Sequence, residues 1–186
     1  MENREIEAKF LEIDKPALVA KLKTLGADDL GEDFLRETIF YDHDLLWQTE
    51  KKKIIRLRQT KSGIFLTYKH DETGESADVK EIEVKVSDMD KAKQILEMAG
   101  MVAYREQEKR QHKFLLGDMI VDIDEWPQVP AYVEIEGPSE EAIKETAAKL
   151  GFDWKDAVFG VSGNVIEKHY GIHVAQLKKF TFEQIE

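Results

Sequence analysis

Cysteine is absent from this chain of 186 residues. Disulfides, thiolate metal sites and cysteine nucleophiles are therefore excluded. No apolar run approaches the roughly 20 residues that a membrane-spanning helix needs, and the N-terminus lacks the basic and then apolar pattern of a secretory leader. These absences lead us to expect a cytoplasmic protein that makes no membrane contact.

An excess of basic charge is absent as well, because 27 Lys and Arg stand against 38 Asp and Glu, which gives a net charge of −11. A protein that binds nucleic acid non-specifically is usually basic, so we expect no nucleic-acid partner. A small anionic ligand is not excluded, since screening over about 8 Å in physiological saline lets a local basic cluster act independently of the distant surface.

Internal repeats, low-complexity segments and Pro/Gly-rich linkers are also missing, so we interpret residues 1–186 as a single domain. Apolar spacing together with capping residues predicts three helices and a fourth, shorter one. Their sequences are "DKPALVAKLKTLGA" with Asp14 as N-cap, "SDMDKAKQILEMAG" with Ser87 or Asp88, "PSEEAIKETAAKLG" ending at Gly151, and "SGNVIEKHYG".

Eight segments alternate between apolar and polar residues and are rich in β-branched or aromatic side chains, which is typical of strands. They are "NREIEAKFLEI", "RETIFYD", "IIRLRQT", "GIFLTYK", "DVKEIEVKV", "EKRQHKFLL", "MIVDIDEW" and "AYVEIEG". The turns "KSG" and "LLGD" indicate hairpins and hence antiparallel pairing. We therefore expect an α+β fold with one antiparallel sheet, and the pattern leaves open whether that sheet closes on itself.

Polar and mostly charged side chains occupy one face of most of these strands, opposite an apolar face. Strand by strand, they are Glu5, Glu7 and Lys9; Arg56 and Arg58; Thr67 and Lys69; Glu81, Glu83 and Lys85; Asp122 and Asp124; and Glu134 and Glu136. The first and last strands are acidic, whereas "RLR" and "TYK" are basic.

A solvated sheet face accounts for any one such strand, although exposed salt bridges that would sort the charges are worth only about 0–1 kcal/mol each. Carboxylates at positions i and i+2 lie about 7 Å apart and repel by about 2 kcal/mol at an effective dielectric near 20. Acids that line a concave surface together would therefore need a compensating cation. Mg²⁺ or Mn²⁺ binds carboxylates together with substrate phosphates, and Arg and Lys would hold the phosphate oxygens. The residue types favour a site for metal plus polyphosphate, with a binder of anionic ligands and an ordinary solvated face as alternatives.

Six short motifs, taken in order along the chain, resemble those of the CYTH superfamily. These proteins are also called triphosphate tunnel metalloenzymes, and the family is named for bacterial class IV adenylate cyclase and thiamine triphosphatase. The motifs are "EIEAK", "RETIFYD", "IIRLR", "LTYK", "EIE" and "VDIDEW…YVEIEG". The first motif alone is a weak signal, but six in register from Glu5 to Glu136 are specific.

The resemblance implies an eight-stranded antiparallel β-barrel that forms a tunnel, with helices packed on the outside. It also implies a metal-dependent enzyme that acts on a small-molecule triphosphate with Mg²⁺ or Mn²⁺. The implied catalytic residues are Glu5, Glu7, Glu134 and Glu136. The implied metal ligands are Glu5, Glu7, Glu81, Glu83, Asp122, Asp124, Glu134 and Glu136. The implied phosphate-binding residues are Lys9, Arg36, Arg56, Arg58, Lys69, Lys109 and Arg110.

One motif departs from the family pattern, which often has Lys-x-Arg on the strand after the second helix. Here "EKRQHKF" places Gln111 two residues after Lys109. Either a bulge turns Arg110 to the inner face, or Lys113 takes over the contact, or one phosphate contact is lost.

The reaction stays open between two chemistries. Attack by the ribose hydroxyl of ATP would produce cyclic AMP, as in the class IV adenylate cyclase group, which this chain most resembles in length and in its C-terminal helices. Attack by water would make the enzyme a triphosphatase for inorganic triphosphate or thiamine triphosphate. A polyphosphate- or nucleotide-binding module without turnover is the alternative from another class, and the assembly expected, if the chain is not a monomer, is a homodimer.

Aromatic and imidazole side chains add two further options at this site. Trp47, Trp126 and Trp154 could stack on a base, and His112 and His169 could act as general bases. Packing and structural roles are the more typical ones for both residue types.

Overall fold

The structure is a computed structural model that describes residues 6–50, 52–71 and 79–186. The strands in these ranges are β1 (Ile6–Phe10), β2 (Asp28–Tyr41), β3 (Lys53–Thr60), β4 (Gly63–Asp71), β5 (Val79–Val86), β6 (Val102–Leu116), β7 (Met119–Glu125), β8 (Tyr132–Gly137) and β9 (Lys179–Phe180). The α-helices are α1 (Lys15–Thr24), α2 (Leu46–Thr49), α3 (Met89–Met98), α4 (Glu140–Leu150) and α5 (Ser162–Tyr170). Single 3₁₀ turns span Trp154–Asp156 and Val174–Gln176.

All nine strands belong to one sheet, in the order β1-β8-β7-β6-β2-β3-β4-β5, with β9 beside β6. The β1–β8, β8–β7, β7–β6, β2–β3, β3–β4 and β4–β5 pairs are antiparallel, and the two-residue β9 is parallel to β6. The predicted α+β class and antiparallel sheet are therefore confirmed. Among the described residues, no hydrogen-bonded pairing joins β1 to β5.

The helix ends follow the capping residues in the sequence. The Asp14 carboxylate accepts from the Ala17 amide at 2.9 Å, and Asp88 and Ser139 cap α3 and α4 in the same way. Gly151 has a φ of 96° immediately after α4, a backbone conformation in which glycine carries no Cβ penalty. The predicted helix positions are thereby confirmed.

Two strands are longer than the alternation predicted. β2 begins at Asp28 rather than Arg36, and β6 begins at Val102 rather than Glu108. The stretch added to β2 is rich in acidic residues, whose low strand propensity is overridden by pairing with a neighbouring strand. The short β9 and the single-turn α2 were not predicted.

The chain divides into two compact units, each made of two segments. The first unit comprises residues 1–33 and 110–172, and the second comprises residues 34–109 and 173–186. Strands β2 and β6 each run from one unit into the other, so one domain over residues 1–186 stays our prediction.

The core of the first unit lies between helices α1 and α4 and the apolar faces of β1, β7 and β8. Its fully or nearly fully buried members include Ala8, Leu18, Leu22, Phe114, Val121, Ile123, Val133, Ile135, Ile143 and Leu150. Each large aliphatic side chain buried in this way stabilises the fold by about 1.5–3 kcal/mol. Because side chains alternate along a strand, this packing turns the charged residues of the same strands to the opposite face.

In the second unit, Phe40 and Leu57 are completely buried on one face of β2 and β3, and Glu37 and Arg56 point to the other face. No helix in the described ranges is both long enough and apolar enough to span a bilayer.

Candidate functional site

The charged side chains of the first unit share one face of four neighbouring strands, because directly opposed residues of an antiparallel pair point the same way. Glu7 lies opposite Glu136 and Lys9 opposite Glu134. The register continues through Glu134 opposite Asp122, and then Asp122 opposite Lys113 and Asp124 opposite Gln111. We call this set the acidic face: Glu7, Lys9, Gln111, Lys113, Asp122, Asp124, Glu134 and Glu136.

Lys9 is the buried cation of the acidic face, with only 1% of its side chain exposed. Its Nζ atom bonds to a carboxylate oxygen of Glu7 and lies 3.0 Å from Oε2 of Glu134. Burial disfavours the charged ammonium, but the carboxylates of Glu134 and Glu7 outweigh it and raise the pKa of Lys9. The lysine is therefore charged and holds two carboxylates that would otherwise repel each other.

A hydrogen-bond network surrounds the buried Asp124 on the same face. Nε2 of Gln111 donates to Oδ1 at 3.2 Å, and the Tyr132 hydroxyl lies 3.4 Å from Oδ2. That hydroxyl accepts from Nε1 of Trp126 at 2.9 Å and lies 3.0 Å from Oγ of Ser162, the first residue of α5. Burial, with the nearby carboxylates of Asp124 and Glu134, raises the pKa of Tyr132 well above its ordinary value, which keeps the phenol neutral.

Sequence reasoning did not select Tyr132 or Ser162. Tyr132 could have been identified from the alternation of its strand, because it lies two residues before Glu134 and therefore on the same charged face. The short "SGN" at the start of α5 gave no comparable signal, because its contact with Tyr132 depends on residues 30 positions apart.

The charged side chains of the second unit also share a face, which spans β2 to β5. Glu37 lies opposite Arg58, and Arg56 lies opposite Thr67. Thr67 and Lys69 lie opposite Glu83 and Glu81. We call this set the basic face: Glu37, Arg56, Arg58, Thr67, Lys69, Glu81 and Glu83.

Glu37 is the buried carboxylate of the basic face. It accepts from Nε of Arg58 and from Nε2 of Gln107, and Nε of Arg56 lies 4.0 Å away. Burial alone would raise the pKa of this carboxyl, but the charges of Arg58, Arg56 and Lys109 lower it to about 2. Sequence reasoning missed Glu37, although a charged residue between Leu35 and Ile39 on an apolar strand was the available signal.

Arg56 is the most enclosed cation of the basic face, with 12% of its side chain exposed. Nη2 lies 3.8 Å from Glu81, and the buried Nε atom makes no hydrogen bond with any residue that the structure describes. Burial, reinforced by the like charge of Arg58, lowers the pKa of Arg56 against the opposing effect of Glu37. A guanidinium in this state would gain charge-assisted hydrogen bonds from an added anion.

The remaining basic-face residues are held by acids on β5. Nζ of Lys69 bonds to Glu81, and Oγ1 of Thr67 donates to Oε2 of Glu83 at 2.8 Å. Both acids therefore face the same way as the bases, as the alternation of "KEIEVKV" predicted.

Two of the predicted phosphate-binding arginines lie elsewhere. Arg36 points to the face of β2 opposite Glu37, where 62% of its side chain is exposed and its Nε lies 3.6 Å from Glu108. Arg110 lies opposite Glu125, on the face of β6 opposite Gln111. The expectation that a bulge turns Arg110 inward is therefore wrong, because the β6–β7 ladder keeps an unbroken register from Arg110 to Leu116.

Two other residues of the predicted site, Glu5 and Lys109, belong to neither of the two charged faces as defined above. Glu5, the first acid of the opening motif, lies outside the described residues. Lys109 lies in the second unit, where its charge contributes to the lowered pKa of Glu37.

The tryptophans make packing and hydrogen-bond contacts. Trp47 contacts the ring of Tyr68, Trp126 donates to Tyr132, and Trp154 packs against Phe10.

The two histidines considered as general bases, His112 and His169, lie away from the charged faces. The buried His112 lies on the apolar side of β6, with Nε2 2.7 Å from Oδ1 of Asp29 and its ring against Phe114. His169 is exposed in the last turn of α5.

The acidic face fits a hard divalent cation, because most of its members are carboxylates, whose oxygens are the ligands that Mg²⁺ and Mn²⁺ prefer. Lys9 already demonstrates that these acids hold positive charge in place. No group of three or more His, Asp or Glu side chains is arranged to hold a metal within the described residues, a set that does not include Glu5.

Protein families and curated proteins were compared with this chain to find what it is similar to. The model of the CYTH domain family matches residues 3–160. A protein of Methanocaldococcus jannaschii, named as a candidate adenylate cyclase, is 27% identical over 133 residues, which cover 71% of this chain and 75% of that protein.

Solved structures share the fold at low sequence identity. A protein of Vibrio parahaemolyticus, named as a candidate adenylate cyclase, has a TM-score of 0.75 and 14% identity over 90% of this chain and 99% of that one. A Hippeastrum protein, named as a candidate adenylyl cyclase and described as having a dominant triphosphatase activity, has a TM-score of 0.64 and 14% identity over 88% and 95% of the two chains. At this identity the likeness establishes the fold alone.

Proposed function

We propose a function from one premise, which is that this chain belongs to the CYTH domain family. On that premise the chain binds the triphosphate group of a small molecule and cleaves it in a metal-dependent reaction. Within the second unit, the basic face would bind phosphate oxygens. Within the first unit, the carboxylates of the acidic face are of the kind that bind a divalent metal.

The observation that carries this proposal is the state of Arg56. A buried guanidinium with an Nε that makes no hydrogen bond to the described residues, and with a pKa lowered by burial, is a site that an anion would stabilise. Arg58 and Lys69 lie on the same face and can bind further oxygens of the same anion. A triphosphate carries several such oxygens. It therefore matches a row of cations better than a ligand with a single carboxylate does.

Glu7, Glu134 and Glu136 supply carboxylate oxygens, with Asp122 and Asp124 on the same face. A divalent cation bound there would lower the pKa of a coordinated hydroxyl or water. Lys9 keeps Glu7 and Glu134 in place, and Tyr132 orients Asp124.

The reaction that we favour is the conversion of ATP into cyclic AMP and pyrophosphate. The ribose 3′-hydroxyl releases its proton to solvent as its oxygen forms a bond to the α-phosphorus. The bond from that phosphorus to the oxygen that bridges it to the β-phosphorus breaks, and pyrophosphate leaves. The name of the Methanocaldococcus relative supports this choice. Hydrolysis of inorganic triphosphate or thiamine triphosphate is the second candidate, supported by the activity named for the Hippeastrum structure.

A product analysis distinguishes the two reactions. The purified chain is incubated with Mg²⁺ or Mn²⁺ and, separately, with ATP, inorganic triphosphate and thiamine triphosphate, and the products are separated by chromatography. Cyclic AMP with pyrophosphate would support the cyclase, and orthophosphate without a cyclic product would support the triphosphatase. No product from any substrate with either metal would contradict both.

Matched variants test the two faces. Glu134→Gln should abolish turnover, whereas Glu125→Gln, on the apolar side of neighbouring β7, should retain it. Arg56→Gln should raise KM strongly, whereas the same change at the exposed Arg36 should not. Normal turnover by Glu134→Gln would show that the acidic face is not the metal site.

A binding module without turnover predicts a different pattern. Triphosphate would then raise the melting temperature without added metal, because the basic face alone suffices. Ligand at about 100 times its dissociation constant adds about 2.7 kcal/mol to the free energy of unfolding, which a thermal melt detects.

A further inference from the structure

Arg105 and Gln107 are buried polar residues of β6 that lie two positions apart, so their side chains share one face of the strand. Nε of Arg105 donates to Oε1 of Gln107 at 2.8 Å, and Nη1 donates to the carbonyl of Val174 at 3.0 Å. All three residues belong to the second unit. Burial of a guanidinium costs free energy even when it is hydrogen-bonded, and apolar side chains of similar size would avoid that cost.

Gln107 links Arg105 to Glu37, the buried carboxylate of the basic face. Its Nε2 donates to Oε2 of Glu37, whereas Oε1 of that carboxylate accepts from Nε of Arg58. Nε of Arg56 lies 4.0 Å from the same Oε1. The two oxygens of Glu37 are thus divided between β6 and β3, and the contact with Gln107 fixes the rotation of the carboxylate about its Cγ–Cδ bond.

The orientation of the Gln107 amide is dictated from both sides. The guanidinium of Arg105 has donors only, so the amide oxygen must face it. Glu37 is ionised at neutral pH, because its pKa is lowered to about 2, and an ionised carboxylate can only accept. The amide NH₂ must therefore face Glu37, because the reversed amide would place donors against donors and acceptors against acceptors.

We propose that Gln107 and Arg105 are positioning residues for phosphate binding by the basic face. Arg105 fixes the amide of Gln107, and that amide fixes the carboxylate of Glu37. The carboxylate in turn holds the guanidinium of Arg58 in one orientation. An arginine held in this way loses less side-chain entropy on binding an anion than a mobile one does. This inference rests on the proposed function, in which the basic face binds phosphate oxygens.

Binding of inorganic imidotriphosphate in the presence of Mg²⁺ tests the proposal. The bridging nitrogens of this analogue resist cleavage, so calorimetry measures affinity without turnover. Gln107→Leu removes the amide but keeps a side chain of similar size, and it should raise the dissociation constant about tenfold, within the coupling expected in one network. Gln48→Leu is the matched control and should leave the constant unchanged. Gln48 also donates a tertiary hydrogen bond in the second unit, but to the backbone carbonyl of Ala175.

Double variants distinguish a positioning role from general damage to the fold. In a Glu37→Gln background the carboxylate that Gln107 holds is already gone, so adding Gln107→Leu should change the dissociation constant by less than about twofold. Arg105→Met should weaken binding about threefold by itself and have no further effect beside Gln107→Leu. Losses of the same size in both backgrounds would overturn the proposed order of contacts.

Proton exchange at Arg58 is a second measurement, and it needs neither the ligand nor a change at Glu37. The Nε proton of Arg58 is donated to Glu37, so it should exchange slowly with water in nuclear magnetic resonance spectra. Gln107→Leu should make this exchange faster, whereas Gln48→Leu should not. Unchanged exchange in Gln107→Leu would overturn the positioning role.

The positioning role and the proposed function fail in different ways. If the unmodified protein does not bind imidotriphosphate with Mg²⁺, both are contradicted. If the unmodified protein binds it and Gln107→Leu binds it equally well, only the positioning role of Gln107 is contradicted, and the assignment of the basic face to phosphate binding is retained.

Discussion

The two charged faces are organised around buried side chains of opposite charge. The acidic face of the first unit holds one buried cation, Lys9, between the acids Glu7 and Glu134. The basic face of the second unit holds one buried anion, Glu37, beside the bases Arg56 and Arg58. In each unit this central side chain is more deeply buried than the partners of opposite charge that contact it.

The difference teaches how like charges can be gathered on one face of a sheet. Carboxylates or guanidiniums that repel one another stay ionised when a buried opposite charge lies among them. The pKa of Lys9 is raised and that of Glu37 is lowered, so both shifts favour the charged form despite burial. Each face can therefore bind a ligand of opposite charge. The changes described next should disrupt these two arrangements to different extents.

Glu37→Gln should give the largest effect, because it leaves two enclosed guanidiniums without their buried counter-charge. Removing one partner of a buried ion pair costs about 3–5 kcal/mol in the free energy of unfolding. Urea unfolding measures the loss. Glu97→Gln, on the exposed face of α3, is the control and should leave the midpoint unchanged; similar midpoints for the two variants would contradict the role of Glu37.

Acid should remove the same stabilisation from the unmodified protein. The carboxyl of Glu37 has a folded pKa of about 2 against an ordinary value of 4.5, so its contribution is complete above pH 4.5 and is lost as the pH falls through about 2. The shift corresponds to about 3 kcal/mol. Unfolding free energies of the unmodified protein and Glu37→Gln should therefore converge from about pH 5 to about pH 2, and a constant difference would contradict this assignment.

Lys9→Met should destabilise the first unit by less, about 1.5–3 kcal/mol, the value of hydrogen bonds to charged groups. Its partners are partly exposed, so water can solvate Glu7 and Glu134 once the ammonium is gone. Turnover should fall as well, because the two acids lose their positions. Lys23→Met, which removes an exposed contact to Asp29, is the control for thermal unfolding, and equal losses in both variants would rule out a special role for Lys9.

Arg36→Ala should have the smallest effect, about 0–1 kcal/mol, because exposed ion pairs contribute little. Its guanidinium contacts Glu108 and the ring of Phe34 on the side of β2 away from Glu37. Thermal unfolding and KM for triphosphate should both stay close to those of the unmodified protein. A KM as strongly raised as in Arg56→Gln would return Arg36 to the phosphate-binding set.

The faces of the strands could be predicted because alternation is a local property. Val121 and Ile123 enter the core, and Asp122 and Asp124 must then lie on the other side of β7. The same reasoning places Gln111 rather than Arg110 on the acidic face, once the ladder with β7 is known to run without a bulge. The sequence could not decide this point, since a bulge depends on how two strands pair and not on either strand alone.

Glu37 is a residue whose environment could not be predicted from the sequence of its own strand. Its neighbours Leu35 and Ile39 suggest an apolar face, and no local rule explains a carboxylate between them. The reason lies on β3 and β6, where Arg56, Arg58 and Gln107 approach it from positions far away in the chain.

The amino-acid sequence by itself determined the α+β class, the helix caps, the alternation of the strands and the motifs shared with the CYTH family. These depend on residues within a few positions of one another. Only the tertiary structure decided which charges are buried and what holds them, as for Lys9, Glu37 and Tyr132. Burial and electrostatic coupling act through space between distant segments, so the pairing of strands, rather than the composition of any one strand, fixes the state of each charged group.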